Sequence, residues 1–191
     1  MSRWRRYIPW AIIALVAVVV ISQVGWLLYT GGPYRGQLVD AETRQPLEGA
    51  AVFFHWDREV YGSPGGPVSK FLKAKEVLTD KEGRFYIPWF IGISAHPFAI
   101  VRWQPSFNVM YPGYRPERGE ITPRDGKAFR DPTVIPMRKM RTRKERLDYI
   151  GGLAPSSVPN EAMPNFIRLM NMERAALGLK PVRVRSGGGS E

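Results

Sequence analysis

Apolar and polar positions follow three different periods along this chain, one after another. From Tyr7 to Tyr29 no residue is charged, and Ala11 to Val20 is apolar without a break. Leu38, then Ala50, Val52 and Phe54, occupy alternating positions of two short runs, as half-buried strands require. After Asn160 the apolar spacing changes to three and four. Met163, Phe166, Ile167, Met170, Arg174 and Leu177 then share one face of a helix, which Leu169, Met172 and Ala176 widen. The pattern predicts a tail over 1–6, a transmembrane helix over 7–30, a β-rich domain over 34–139, a helical extension over 140–185 and a flexible tail over 186–191.

At about 1.5 Å per residue, Ile8 to Leu28 covers the ~30 Å hydrocarbon core. Trp4, Tyr7 and Trp10 lie at one end and Trp26 and Tyr29 at the other, like interfacial aromatic belts. Trp10, Trp26 and Tyr29 are the candidate membrane-anchor residues. Arg3, Arg5 and Arg6 favour a cytoplasmic N-terminus, which puts the rest in the periplasm or outside the cell. A cleaved signal peptide is the competing reading, with a shorter apolar region and a small-residue cleavage site. Gly25-Trp26-Leu27-Leu28-Tyr29 is bulky, and only Thr30-Gly31-Gly32 resembles such a site, so a retained anchor is favoured. Ser22 and Gln23 could hydrogen-bond a second helix or meet headgroup water.

The middle of the chain reads as an all-β sandwich of about seven strands. Tyr34 to Asp40, Ala50 to Phe54, Val68 to Leu78 and Arg84 to Pro88 are the first runs. Phe98 to Trp103, Phe107 to Tyr111 and Thr133 to Met137 follow, with Gly and Pro between them. Asp40 to Pro46 supplies turn chemistry, and Gly62 to Pro67 an exposed loop. Asp80-Lys81-Glu82-Gly83 is predicted as a hairpin turn with Gly83 left-handed. The stretches Tyr34-Arg35-Gly36-Gln37-Leu38-Val39-Asp40, Pro46 to Val52 and Thr79 to Phe85, with Val109 to Tyr114, resemble the carboxypeptidase regulatory-like domain. That resemblance implies a prealbumin-like (transthyretin-like) sandwich over roughly Tyr34 to Lys139. It implies little about activity, because the fold hosts many roles.

Thr142-Arg143-Lys144-Glu145 is a capping box opening a helix through Ile150, which Gly151-Gly152 should end. A second helix begins near Asn160, and Gly178-Leu179 with Pro181 reads as its C-cap. Its apolar face must be buried. The sandwich's own flank is the common solution; a partner is the alternative, and makes Met163, Phe166, Ile167, Met170 and Leu177 candidate partner-binding residues.

Composition narrows the chemistry. The net charge is +11, but residues 34–136 carry fourteen basic and twelve acidic residues, so the excess sits at the two ends. A nucleic-acid partner is not expected for a domain outside the cytoplasm. Arg138, Lys139, Arg141, Arg143, Lys144 and Arg146 form a basic run suited to water, anionic lipid or an acidic partner. Without cysteine, disulfides, thiolate metal sites and cysteine nucleophiles are excluded. His55 and His96 are the only histidines, and neither lies in an H-x-x-E zinc motif. His55 is expected on a strand surface and His96 in a loop. No metal, no cofactor and no enzymatic activity are expected. Tyr34-Arg35-Gly36 matches part of the Tyr-Arg-Gly-Ser signature ending the transthyretin-like hydroxyisourate hydrolases, but it stands at the wrong end and Gln37 replaces Ser.

Two functional expectations follow. The first is a non-enzymatic, membrane-anchored accessory module contacting an envelope protein complex. The alternative is a module binding envelope carbohydrate or peptide, with Trp56, Trp89, Phe90 and Trp103 as candidate ligand-binding aromatics.

Overall fold

The computed structural model describes residues 9, 10, 12–16, 18, 28–61, 65–94, 99–101, 105–117, 133–153 and 158–182. Residues 9, 10, 12–16 and 18 are helical, and ten strands follow among the described residues. They are β1 (Leu28–Gly31), β2 (Tyr34–Asp40), β3 (Ala51–Val60), β4 (Val68–Leu78), β5 (Arg84–Ile87), β6 (Phe90–Ile93), β7 (Ala99–Val101), β8 (Ser106–Met110), β9 (Tyr114–Pro116) and β10 (Thr133–Lys139). Two helices close the described chain, α1 (Arg143–Leu153) and α2 (Pro164–Ala176).

The protein is mostly β-sheet. One sheet runs β5-β2-β10-β9 and the second β4-β3-β7, with β8 also paired to β3. β10 lies parallel to β2, with Ile135 opposite Leu38. The inward residues of both sheets, among them Tyr34, Leu38, Val52, Phe54, Trp56, Phe85, Ile87, Val109, Ile135 and Met137, form one apolar core. Two sheets enclosing a shared core is the arrangement of a β-sandwich. Alternation explains it: Leu38, Val52 and Phe54 point inward and are fully buried.

Three strands escaped the sequence pattern. β1 and β6 form a separate antiparallel ribbon, Leu28 facing Ile93 and Gly31 facing Phe90. β9 is a three-residue strand against the end of β10. The Asp80 to Gly83 turn is also corrected: β4 pairs with β3 whereas β5 pairs with β2, so it is a corner between sheets instead of a hairpin. Gly83 has φ +71°, and its carbonyl accepts the Leu38 N–H at 2.8 Å, which carries the chain across. A Cβ there would collide with the Leu38 carbonyl oxygen.

Among the described residues no helix is long and apolar enough to cross a membrane. The expected 7–30 helix, with Trp26, lies largely outside the described residues; so do the tails 1–6 and 186–191. Its predicted end is corrected, because Leu28 to Thr30 are extended and hydrogen-bonded in β1.

Candidate functional site

α2 lies on the outer face of the β3-β8 sheet. Met163, Phe166, Ile167, Leu169 and Met170 join Ala51, Phe53 and Met110 in a second apolar cluster, and Phe166 meets Phe53 at 5.9 Å between ring centroids. The partner-binding assignment of Met163, Phe166, Ile167, Met170 and Leu177 is therefore corrected: all five are buried by the chain's own fold. Polar groups fix the docking. The Glu76 carboxylate on β4 accepts the N–H groups of Asn165 and Phe166 at 2.9 and 2.5 Å, serving as a cap from another element. Glu173 is fully buried, grips the Arg146 guanidinium through both oxygens at 2.5 and 2.8 Å, and accepts the Gly113 N–H at 2.8 Å. A buried carboxylate is tolerated because those donors replace water. α1 continues through Gly151-Gly152, contrary to the expected stop, and buries Leu153 in the α2 cluster.

Among the described residues the candidate aromatics do not form a platform. Trp56 is fully buried, edge-on to Phe90 at 4.9 Å between centroids, so its ligand-binding assignment is corrected. Phe90 is half-buried with its face beneath the Lys73 ammonium at 4.5 Å. Trp89 is 55% exposed, and Trp103 lies outside the described residues. Trp10 is exposed, whereas Tyr29 belongs to the sandwich core, where the Phe90 ring meets it edge-on; Tyr29 is corrected from membrane anchor to core residue.

His55 is also relocated. It is buried, with Phe53 stacked on it, because the sheet face carrying it is the one that α2 covers. Burial pushes its pKa down, opposed by the Asp57 carboxylate 3.5 Å from Nε2. Among the described residues, His55 Nδ1, Asp57 Oδ1 and Arg58 Nε have no hydrogen-bond partner, around the register shift between Trp56 and Asp57. His96 lies outside the described residues, and among those described no group of three His, Asp or Glu side chains could hold a metal. Buried Asp40 and half-buried Tyr114 make a second polar pair. Asp40 accepts the N–H groups of Thr43 and Glu42 and the Tyr114 hydroxyl at 2.9 Å, which hold its carboxyl below its ordinary range. Burial, then Asp40, pushes Tyr114 up to about 12.

The outer face of the other sheet presents an open surface. Arg35, Gln37, Arg84, Tyr86 and Val134 project from β2, β5 and β10, and with Asp80 they border a groove of about 560 Å³. Cross-strand register sets Arg35 beside Tyr86 and Gln37 beside Arg84. Tyr86 is 57% exposed and Val134 44%, with Arg35 and Arg84 also exposed. Gln37 donates to the Glu82 carbonyl, and Asp80 Oδ1 accepts the Arg84 backbone N–H, so the turn braces one wall. The groove's chemistry is an aromatic and an aliphatic side chain flanked by two guanidinium groups. Nothing in the local sequence gathers these positions; the strand pairing that does so joins distant segments. No protein-family model matches this chain, and no curated protein or solved structure is similar enough to match it.

Proposed function

We propose that the chain is a non-enzymatic, single-pass membrane protein whose domain, a prealbumin-like sandwich of the carboxypeptidase regulatory-like kind, is an interaction module for an envelope protein complex. The N-terminus is cytoplasmic and the domain periplasmic or extracellular. Trp10, Ile12, Ile13, Leu15, Val16 and Val18 support the anchor: they occupy every side of a helical stretch, and all are more than half exposed. A helical stretch that is apolar and exposed on every side is suited to lipid.

The contrast between the two outer sheet faces carries the interaction reading. One is filled by α2, whereas the other presents Arg35, Arg84, Tyr86 and Val134 around an open groove. Tyr and Arg are the side chains that dominate protein interfaces, and paired guanidinium groups favour a carboxylate-bearing segment. The partner is thus a membrane or envelope protein presenting an acidic segment to this face.

The test is gentle detergent extraction from native membranes, affinity isolation and mass spectrometry, run in parallel on the parent chain and on Arg35→Glu/Arg84→Glu. A stoichiometric partner recovered with the parent and lost with the double variant, at unchanged melting temperature, is expected. A parent chain isolated alone, or a partner retained at full yield by the double variant, refutes the reading.

A further inference from the structure

The β1–β6 ribbon has one committed apolar outer face. Leu28 and Ile93 are register partners, as are Thr30 and Ile91, and these four residues alternate with the inward Tyr29, Gly31, Phe90 and Gly92. Trp89, Ile91 and Ile93 follow at steps of two, spanning about 13 Å at strand rise. They are 55%, 54% and 70% exposed, and Leu28 beside them is 42% exposed.

The inner face prevents the ribbon from turning over. A Cβ on Gly92 would enter the Tyr29 ring, and one on Gly31 would sit 2.6 Å from the Phe90 ring. Aromatic rings fill the places that these glycines leave open. A register slip of one residue would expose Tyr29 and Phe90 and break that fit.

Covalent connection supplies the occupant. No charged residue separates Arg6 from Arg35. On the anchored reading, the stretch from Tyr7 to Leu27 is long enough at helical rise to span the hydrocarbon core of about 30 Å. Leu28, the first residue of β1, then leaves the bilayer at its surface. A ribbon beginning there is held against the headgroups at high effective concentration. Trp and aliphatic side chains are suited to that depth. Lys73 and Lys75 place their ammonium groups 4.5 and 5.8 Å from the Phe90 ring, so cationic charge stands behind the apolar face for anionic headgroups.

We propose that Leu28, Trp89, Ile91 and Ile93 insert into the headgroup–acyl boundary of the bilayer as a second lipid contact, which fixes the orientation of the domain on the membrane. The proposal rests on the anchored reading above. Because the chain lacks cysteine, single probes can be placed without background. Val16→Cys, Ile93→Cys and Ala175→Cys, each in the full chain, are labelled with an environment-sensitive fluorophore. The labelled chains are reconstituted in phosphatidylcholine–phosphatidylglycerol nanodiscs containing nitroxide lipids.

The expected result is nitroxide quenching at 16 and 93, loss of iodide quenching at 93, and iodide quenching alone at 175, on the exposed side of α2. Quenching by lipid at 16, with 93 open to iodide, overturns the ribbon contact and leaves the anchor standing. No lipid quenching at 16 overturns the anchor itself, and with it the ribbon proposal. Shielding of 93 from iodide without lipid quenching overturns it in favour of a protein contact.

Discussion

Replacing Phe166 by alanine tests whether α2 belongs to the domain or to a partner. Phe166 is fully buried against Phe53, and its N–H is held by Glu76. Truncation removes a ring from a packed site whose backbone is pinned, so the cavity cannot close by moving the helix. Fully buried Phe→Ala changes cost about 3–5 kcal/mol, cavity included. In a chain of this size each kcal/mol lowers the melting temperature by about 2–4 °C, which predicts a fall of roughly 10 °C. The assay is thermal unfolding of the detergent-solubilised chain, followed by near-ultraviolet circular dichroism. Met172→Ala is the control, because Met172 is on the same helix and 53% exposed; it should stay within about 0.5 kcal/mol of the parent. If Phe166→Ala melts with the Met172 control, α2 is not part of the core and the packing argument fails.

Gly83→Val forces a β-branched residue to φ +71° and drives its Cβ into the Leu38 carbonyl. A loss of more than about 2 kcal/mol in urea titration is expected, and an unchanged midpoint would show the corner is misread. Tyr114 has its folded pKa raised to about 12. Its usual value is about 10, so the stability it adds is fully present below that pH and is lost as pH rises through the folded value. Tyr114→Phe should flatten that alkaline decline, and an identical alkaline slope in both proteins would refute the assignment.

Local signals were read well where the chemistry is local. Gly178, at φ +72°, closes α2 with Leu179 N–H on the Arg174 carbonyl at 2.8 Å and Gly178 N–H on the Ala175 carbonyl at 3.0 Å, a Schellman end. Thr142 Oγ accepts the Glu145 N–H at 3.1 Å, half of the predicted capping box; the Glu145 carboxylate turns instead to Arg138 and the Arg141 N–H. Failures came where a distant partner decides. Leu28 to Thr30 continue an apolar run, and only pairing with Ile91 to Ile93 makes them strand. The apolar stripe from Met163 to Leu177 lies on the sandwich's own flank, the expected solution, but nothing local named Phe53 and Met110 as the residues that receive it. His55 has a surface-like alternation in β3, yet both faces of β3 are covered. The groove likewise depends on pairing that brings Val134 beside Gln37.

That same parallel pairing governs the order of assembly. The strand pairing at the centre of one sheet joins residues 36 and 133, with almost the whole domain between them. Loop closure over so long an interval must be met before Leu38 and Ile135 can share a core, and non-local pairing of this kind slows folding. While the chain is being made, β3 and β4 can zip as neighbours, but β2 keeps an open edge until β10 exists. A truncated product ending before Thr133 therefore keeps β2 paired to β5 on one side and open on the other, and the last third of the chain acts as the clasp that closes the first.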